Sequence, residues 1–256
     1  FRRYTGEELA KLDEFEQPKF DPDADKRTLE HADFEEQRDA FLKAEGALAY
    51  ATISYRDGML LHGEGYMFEA GKSPALPGVQ IAAEDYRRLA RLAKTGDAPT
   101  LEINSLTHYD DSDVNAYNIL AEIPGTDPKA GYVMAGAHLD SWVAGDGATD
   151  NAAGSAMIME AARILSTLGV RPKRTIRFAL WTGEEQALLG SLAWVEKNLA
   201  TRGAANDPPL TGQRRYYEWG KRWPINRQPG YDALAAYFNI DNGSGKLRGI
   251  YAENNP

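Results

Sequence analysis

From residue 117 onward, apolar and polar positions fall into blocks of two alternating periods. Tyr117, Ile119, Ala121 and Ile123 recur at every second position, as in a half-buried strand, and Pro124-Gly125 ends the run. Tyr132 to Ala137 is an apolar run of the kind found in strands buried on both faces. Between Ala152 and Leu168 the period lengthens. Met157, Ile158, Ala161, Ile164, Leu165 and Leu168 lie at helical spacing, Gly169 stops the helix and Pro172 follows. Thr175 to Trp181 predicts the next strand, Leu188 to Leu199 the next helix, and Ala235 to Ile240 a last strand before Asp241-Asn242-Gly243. Strands alternating with helices predict an α/β fold whose site lies outside the carboxyl ends of the strands. His138, Glu184, Glu185 and Asp241 all fall at such ends.

The first hundred residues are patterned less clearly. Thr5 before Gly6-Glu7-Glu8 suits a helix N-cap with acid in the first turn. Gln17 to Asp25, with two prolines and several Asp, reads as a loop, and Glu35 to Glu45 as a helix closed by Gly46. Ala47 to Tyr55 predicts a short strand and Asp57-Gly58 a turn. Met59 to Gly78 reads as irregular, Val79 to Ala82 as a strand, and Glu84 to Lys94 as a helix with Gly96 just past its end. Residues 201–230, polar and holding Pro208, Pro209, Pro224 and Pro229, predict a long surface excursion.

Composition narrows the classes. At 256 residues the chain can bury a sizeable core, and 43% hydrophobic with 26% charged residues is ordinary globular material. A net charge of −9 without a basic stripe argues against nucleic acid as a partner. No apolar run reaches the ~18 residues of a membrane span. The absence of cysteine excludes disulfides. The chain opens with Phe1 and shows no apolar leader, so a processed or truncated product is expected.

The stretch Gly136 to Glu185 concentrates the chemistry. His138 and Asp140 form H-x-D, Asp150 follows twelve positions after His138, and the pair Glu184-Glu185 begins 34 after Asp150. Imidazole and carboxylates, with one carboxylate left free to move protons, are the inventory of metal-dependent hydrolysis. Each residue also has a plain structural reading. A lone His after an apolar strand is usually a satisfied interior histidine. Asp150 before a helical run could be an N-cap. Glu184 and Glu185 could be first-turn acids favoured by the helix dipole. Asp241 in Asp-Asn-Gly could be a turn residue. Two decoys carry nothing: Gly145-Asp146-Gly147 lacks the third glycine of a dinucleotide fingerprint, and Gly245-Lys246 lacks the first glycine and the Ser/Thr of a P-loop.

The spacing of these residues, with Trp181-Thr182-Gly183 before the acid pair, resembles the zinc exopeptidases with two co-catalytic metals. That family contains bacterial leucyl aminopeptidases and glutamate carboxypeptidases. The resemblance is strongest over residues 117–190. It implies a mixed β-sheet flanked by helices. Residues 100–256 would form the catalytic domain, preceded over residues 1–99 by part of a protease-associated-like insertion domain. It implies two zinc ions, with His138, Asp150, Glu185 and Asp241 as metal ligands and Asp150 bridging. Glu184 would be the general base and Asp140 the partner of His138, both counted as catalytic. It implies a peptide substrate cleaved near a chain end, as by an aminopeptidase or dipeptidase. A secreted or periplasmic location fits the resemblance, which also leaves room for a homodimer.

One feature departs from the family pattern. The family completes its site with a second His well downstream of the Asp matched by Asp241, whereas this chain has only His31, His62, His108 and His138. The expectation is a fragment whose catalytic domain is incomplete at its carboxyl end. The alternative is a non-catalytic relative that serves as a binding or scaffold ectodomain.

Overall fold

The computed structural model describes residues 5–12, 21–54, 62–64, 75–96, 99–104, 106, 108, 110–142, 145–241, 243–247 and 249. The turn predicted at Asp57-Gly58 and the first four residues of the loop predicted over Gln17 to Asp25 lie outside them. The chain divides into two compact units, residues 1–50 with 75–77, and residues 51–74 with 78–256.

The first unit is helical. α1 (Gly6–Leu12) starts on a reciprocal cap. The Glu8 N–H donates to Thr5 Oγ1 at 3.3 Å, and the Thr5 N–H donates to Glu8 Oε2 at 2.7 Å. α2 (Ala24–Ala44) begins eleven residues before the predicted start at Glu35. Its amino-terminal half carries no apolar stripe, and local polar contacts start it instead. The Asp23 N–H donates to Asp21 Oδ1, and Asp21 pairs with Arg27.

Apart from Tyr50, the second unit holds a three-stranded sheet in the order β1 (Tyr50–Ile53), β3 (Gly78–Ile81), β2 (His62–Glu64), with β2 antiparallel to β3. β2 falls in a stretch predicted to be irregular. Three residues, one of them Gly, are too few to show alternation, and only pairing with β3 makes a strand there. α3 (Ala83–Ala93) follows, within a residue of its predicted range.

The larger sheet is mixed. It runs in the order β4 (Ile119–Ile123), β6 (Thr175–Trp181), β5 (Tyr132–His138), β9 (Leu234–Asn239). β5 is parallel to both β6 and β9, while β4 runs antiparallel at one edge. Helices cover both faces, because side chains alternate along buried strands. On one face Ala137, Phe178 and Leu180 pack with Ile158 of α4 (Ala153–Thr167). On the other face Tyr132, Met134, Ala179 and Trp181 pack against Trp194 of α5 (Leu189–Asn198). The fold class expected from the sequence is therefore the one observed.

Residues 201–230 differ from the expected excursion. They hold most of a two-stranded antiparallel ribbon, β7 (Ala200–Arg202) with β8 (Ile225–Arg227), and the short helix α6 (Gly212–Glu218). Glu196 of α5 anchors the segment, accepting from Arg215 Nη2 at 2.8 Å and from Trp219 Nε1 at 2.8 Å. The prolines sit between these elements rather than inside them, so turn residues concealed short elements that tertiary contacts create.

Candidate metal centre

The parallel register sets the site. His138, the last residue of β5, pairs with Trp181, the last of β6, and Gly136 pairs with Asn239, the last of β9. The three strands thus end together, and the loops that leave them carry the acids. The imidazole of His138 is buried, with only 2% of its side chain exposed. Its Nε2 lies 3.0 Å from Asp150 Oδ1, 3.3 Å from Asp241 Oδ1 and 3.9 Å from Glu184 Oε2. Two overlapping groups result in which every donor atom lies within 4.8 Å of the others: His138, Asp150, Asp241 and His138, Glu184, Glu185.

Asp140 also lies at the site, in a different relation to His138 from the one expected. Nδ1 of His138 faces the main-chain carbonyl of Asp140 at 3.0 Å, while the Asp140 carboxylate stands 3.6 Å away. That carboxylate is committed elsewhere. Oδ1 accepts the Glu184 N–H and Oδ2 accepts the Glu185 N–H, each at 3.2 Å. Two aligned N–H donors hold it better than one imidazole edge does.

The turn that bears the two glutamates is fastened at both ends. Gly183 enters it at φ +65°, a backbone conformation that most side chains resist. Ala187 and Leu188 leave it at φ 78° and 59°, and the Leu188 N–H donates to the Glu184 carbonyl at 2.9 Å. Left-handed backbone at two non-glycine residues costs roughly 1–2 kcal/mol each. It persists only where surrounding bonds impose it. Asn118, just before β4, supplies two of them. Its Oδ1 accepts the Thr182 N–H at 3.2 Å, and its Nδ2 donates to the Gly190 carbonyl at 2.9 Å.

Three supporting residues escaped the sequence reading. Besides Asn118 they are Asn151, whose Nδ2 donates to the Ile240 carbonyl at 2.8 Å, and Ser155, whose Oγ donates to the His138 carbonyl at 2.7 Å. Asn151, two residues before α4, and Ser155, in its first turn, are buried polar residues. A polar pair just ahead of the apolar run from Met157 was the available signal, and it reads equally well as ordinary capping.

The electrostatics of the cluster are those of a cation site. Burial works against a charged His138 imidazole, but the charges of Asp241, Glu184 and Asp140 outweigh it and raise its pKa. Burial raises the pKa of Glu184, and Asp241, Glu185 and Asp140 add to the rise. Burial also raises that of Glu185, with the charge of Asp150 the next contributor. Among the described residues, these acids have no Lys or Arg partner in reach; His138 is their one basic neighbour.

The hydrogen-bond pattern tests whether a metal fits. A main-chain carbonyl can only accept, so His138 Nδ1 carries the proton. When the imidazole is neutral its lone pair is on Nε2, facing the oxygens of Asp150 and Asp241; when it is protonated, Nε2–H donates to Asp150 Oδ1 at 3.0 Å. In the neutral form three electron-rich atoms converge on one point, and a divalent cation there would take the place of the Nε2 proton and convert repulsion into ligation. Imidazole nitrogen and carboxylate oxygen are both ordinary donors to zinc. The residues fit the group.

Comparison with known proteins follows the same residues. The profile described as Peptidase family M28 matches residues 118–246, half of the chain. Carboxypeptidase Q of Xenopus laevis is 37% identical over 134 residues, which is 52% of this chain and 28% of that protein. Leupeptin-inactivating enzyme 1 of Streptomyces exfoliatus is 41% identical over 91 residues, 36% of this chain and 20% of that protein. Among solved structures, BSAP, a zinc aminopeptidase from Bacillus subtilis, is similar at 26% identity with a TM-score of 0.43, over 60% of this chain and 35% of that one. The chain thus spans under a third of the length of these two curated relatives.

Proposed function

The chain belongs to peptidase family M28, and from that membership we infer that it carries the catalytic centre of a zinc-dependent exopeptidase acting on peptide bonds near a chain end. The observation that supports this most is the convergence of His138 Nε2, Asp150 Oδ1 and Asp241 Oδ1 within 3.3 Å of the imidazole nitrogen. His138, Asp150 and Asp241 would hold one ion. Asp150 and Glu185 would hold a second, so that Asp150 would serve both.

Bound zinc would polarise the scissile carbonyl and make water acidic enough to be deprotonated near neutral pH. The remaining steps fall to the chain. Glu184 is left out of the first ligand set and stands beside it, 3.9 Å from His138 Nε2. Its raised pKa brings it towards the working range of a general base. It takes the proton of the attacking water at its carboxylate and returns it to the departing amine. Asp140 orients it by holding the Glu184 and Glu185 N–H groups, so the carboxylate meets the water without first reorganising. His138, with its proton fixed on Nδ1, keeps Nε2 available as a neutral ligand.

The test is hydrolysis by the zinc-loaded protein of short peptides with free and blocked termini, with products identified by mass spectrometry. Release of single terminal residues or dipeptide cleavage is expected. Internal cleavage alone, or none with any of these peptides, would overturn the reading.

A further inference from the structure

We propose that Asn151 is a positioning residue that fixes the separation of Asp150 from Asp241 and thereby sets the affinity of the first metal site. The proposal rests on the reading above, that His138, Asp150 and Asp241 hold zinc. Asn151 is 1% exposed, one of the two largest fully buried side chains among the described residues. Its amide is used at both ends. Oδ1 accepts the Gly154 N–H at 3.1 Å, and Nδ2 donates to the Ile240 carbonyl at 2.8 Å. The orientation of the amide is unambiguous, because an N–H can only donate and a carbonyl can only accept.

What matters is where those bonds lead. Asn151 directly follows Asp150, and Ile240 directly precedes Asp241. The side chain therefore ties together the neighbours of two carboxylates 91 positions apart, on loops that leave different elements. Ile240 is held from its other side as well, its N–H donating to the Gly136 carbonyl at 3.0 Å. Ser155 completes the arrangement by binding the His138 carbonyl at 2.7 Å. The start of α4 thus grips the ends of β5 and β9 together. Gly154 leaves room for it, since an added Cβ would run into Asn151 Oδ1 and the Ile240 carbonyl oxygen.

Asp150 and Asp241 carry the same charge and face one nitrogen, so without a tie their loops relax apart. A metal site whose ligands must first be brought together binds more weakly than one already assembled. Residues that orient ligands typically carry about 10- to 100-fold in metal affinity. Asn151→Asp keeps the shape and the acceptor for Gly154 but turns the donor to Ile240 into an oxygen facing an oxygen.

The experiment is zinc competition against a chromophoric chelator, with thermal melting of each metal-free protein alongside. The wild type, Asn151→Asp, Asn151→Ala, His138→Ala and Ile158→Ala are compared. Ile158 is a core residue of α4, 2% exposed, and serves as a control for lost stability alone. Zinc affinity is expected to fall about 10- to 100-fold in Asn151→Asp and to stay at the wild-type value in Ile158→Ala. Asn151→Ala provides the comparison if the Asp variant does not fold. Wild-type affinity in a folded Asn151 variant, with His138→Ala strongly weakened, overturns the role of Asn151 alone. An equal loss in Ile158→Ala also overturns it, reducing Asn151 to a structural residue. Equal zinc binding by the wild type and His138→Ala overturns the metal-site reading itself.

Discussion

Asp140 holds the main chain of Glu184: its Oδ1 accepts the Glu184 N–H at 3.2 Å, while Oδ2 takes the N–H of Glu185. The loop after β5 and the loop after β6 are joined through this one carboxylate. Asp140→Asn replaces one of the two acceptor oxygens with a donor and sets it against an N–H. Turnover is expected to fall about 10- to 100-fold, with KM changing much less because the substrate contacts remain. A parallel loss in KM, or no loss in kcat, would contradict the positioning role.

Glu184 and His138 should separate cleanly. Glu184→Gln removes the proton acceptor but none of the first ligand set, so hydrolysis should drop at least about 100-fold with zinc content unchanged. His138→Ala should lose the first zinc. Metal analysis of both purified variants beside a peptidase assay checks the pair, and normal turnover in Glu184→Gln would remove it as the base.

Asn118 fastens both ends of the turn that carries the glutamates, at Thr182 and Gly190. Asn118→Ala leaves the Thr182 N–H without this partner and removes one bond to the Gly190 carbonyl, at about 1–3 kcal/mol for an unpaired group when buried. Asn118→Asp retains the acceptor for Thr182 and should recover part of the loss. Chemical denaturation of the three proteins measures this. An undiminished midpoint in Asn118→Ala would show that the turn stands without it.

The pH dependence has a definite sign. Glu184 and Glu185 have pKa values raised above 4.5, and His138 above 6.5. In the metal-free protein all three hold protons more tightly folded than unfolded. Their contribution is full below the unfolded values and is lost as pH rises through the folded ones. Zinc competes with the same protons, so its affinity rises over that range. The difference in Tm between zinc-loaded and chelator-treated protein should therefore widen as pH climbs from below 4.5 past 6.5. A constant difference would contradict the shifts.

Much of this arrangement can be read along the chain. β5 and β6 were predicted within a residue of their ends, because strands buried on both faces appear as unbroken apolar runs and their polar successors mark the exits. The same contrast placed His138, Glu184 and Glu185 at strand ends. Hydrophobic pattern could not reveal which atom of Asp140 meets His138, since main-chain and side-chain oxygens of one residue are equivalent in a sequence. Asn151 stayed hidden for a related reason. Before a helix an Asn reads as a cap, which it is for Gly154, and only the folded chain brings Ile240 to its other end. The amino-terminal half of α2 and the whole of α6 carry no apolar stripe that would announce them, and polar contacts start the one and anchor the other.

The most direct test of the metal centre is an anomalous difference map collected at the zinc absorption edge from crystals of the protein grown with zinc. A peak about 2.0–2.2 Å from His138 Nε2 and from carboxylate oxygens of Asp150 and Asp241 is predicted. Density showing His138 in direct hydrogen bonding with Asp150, with no anomalous peak between them, would contradict the account.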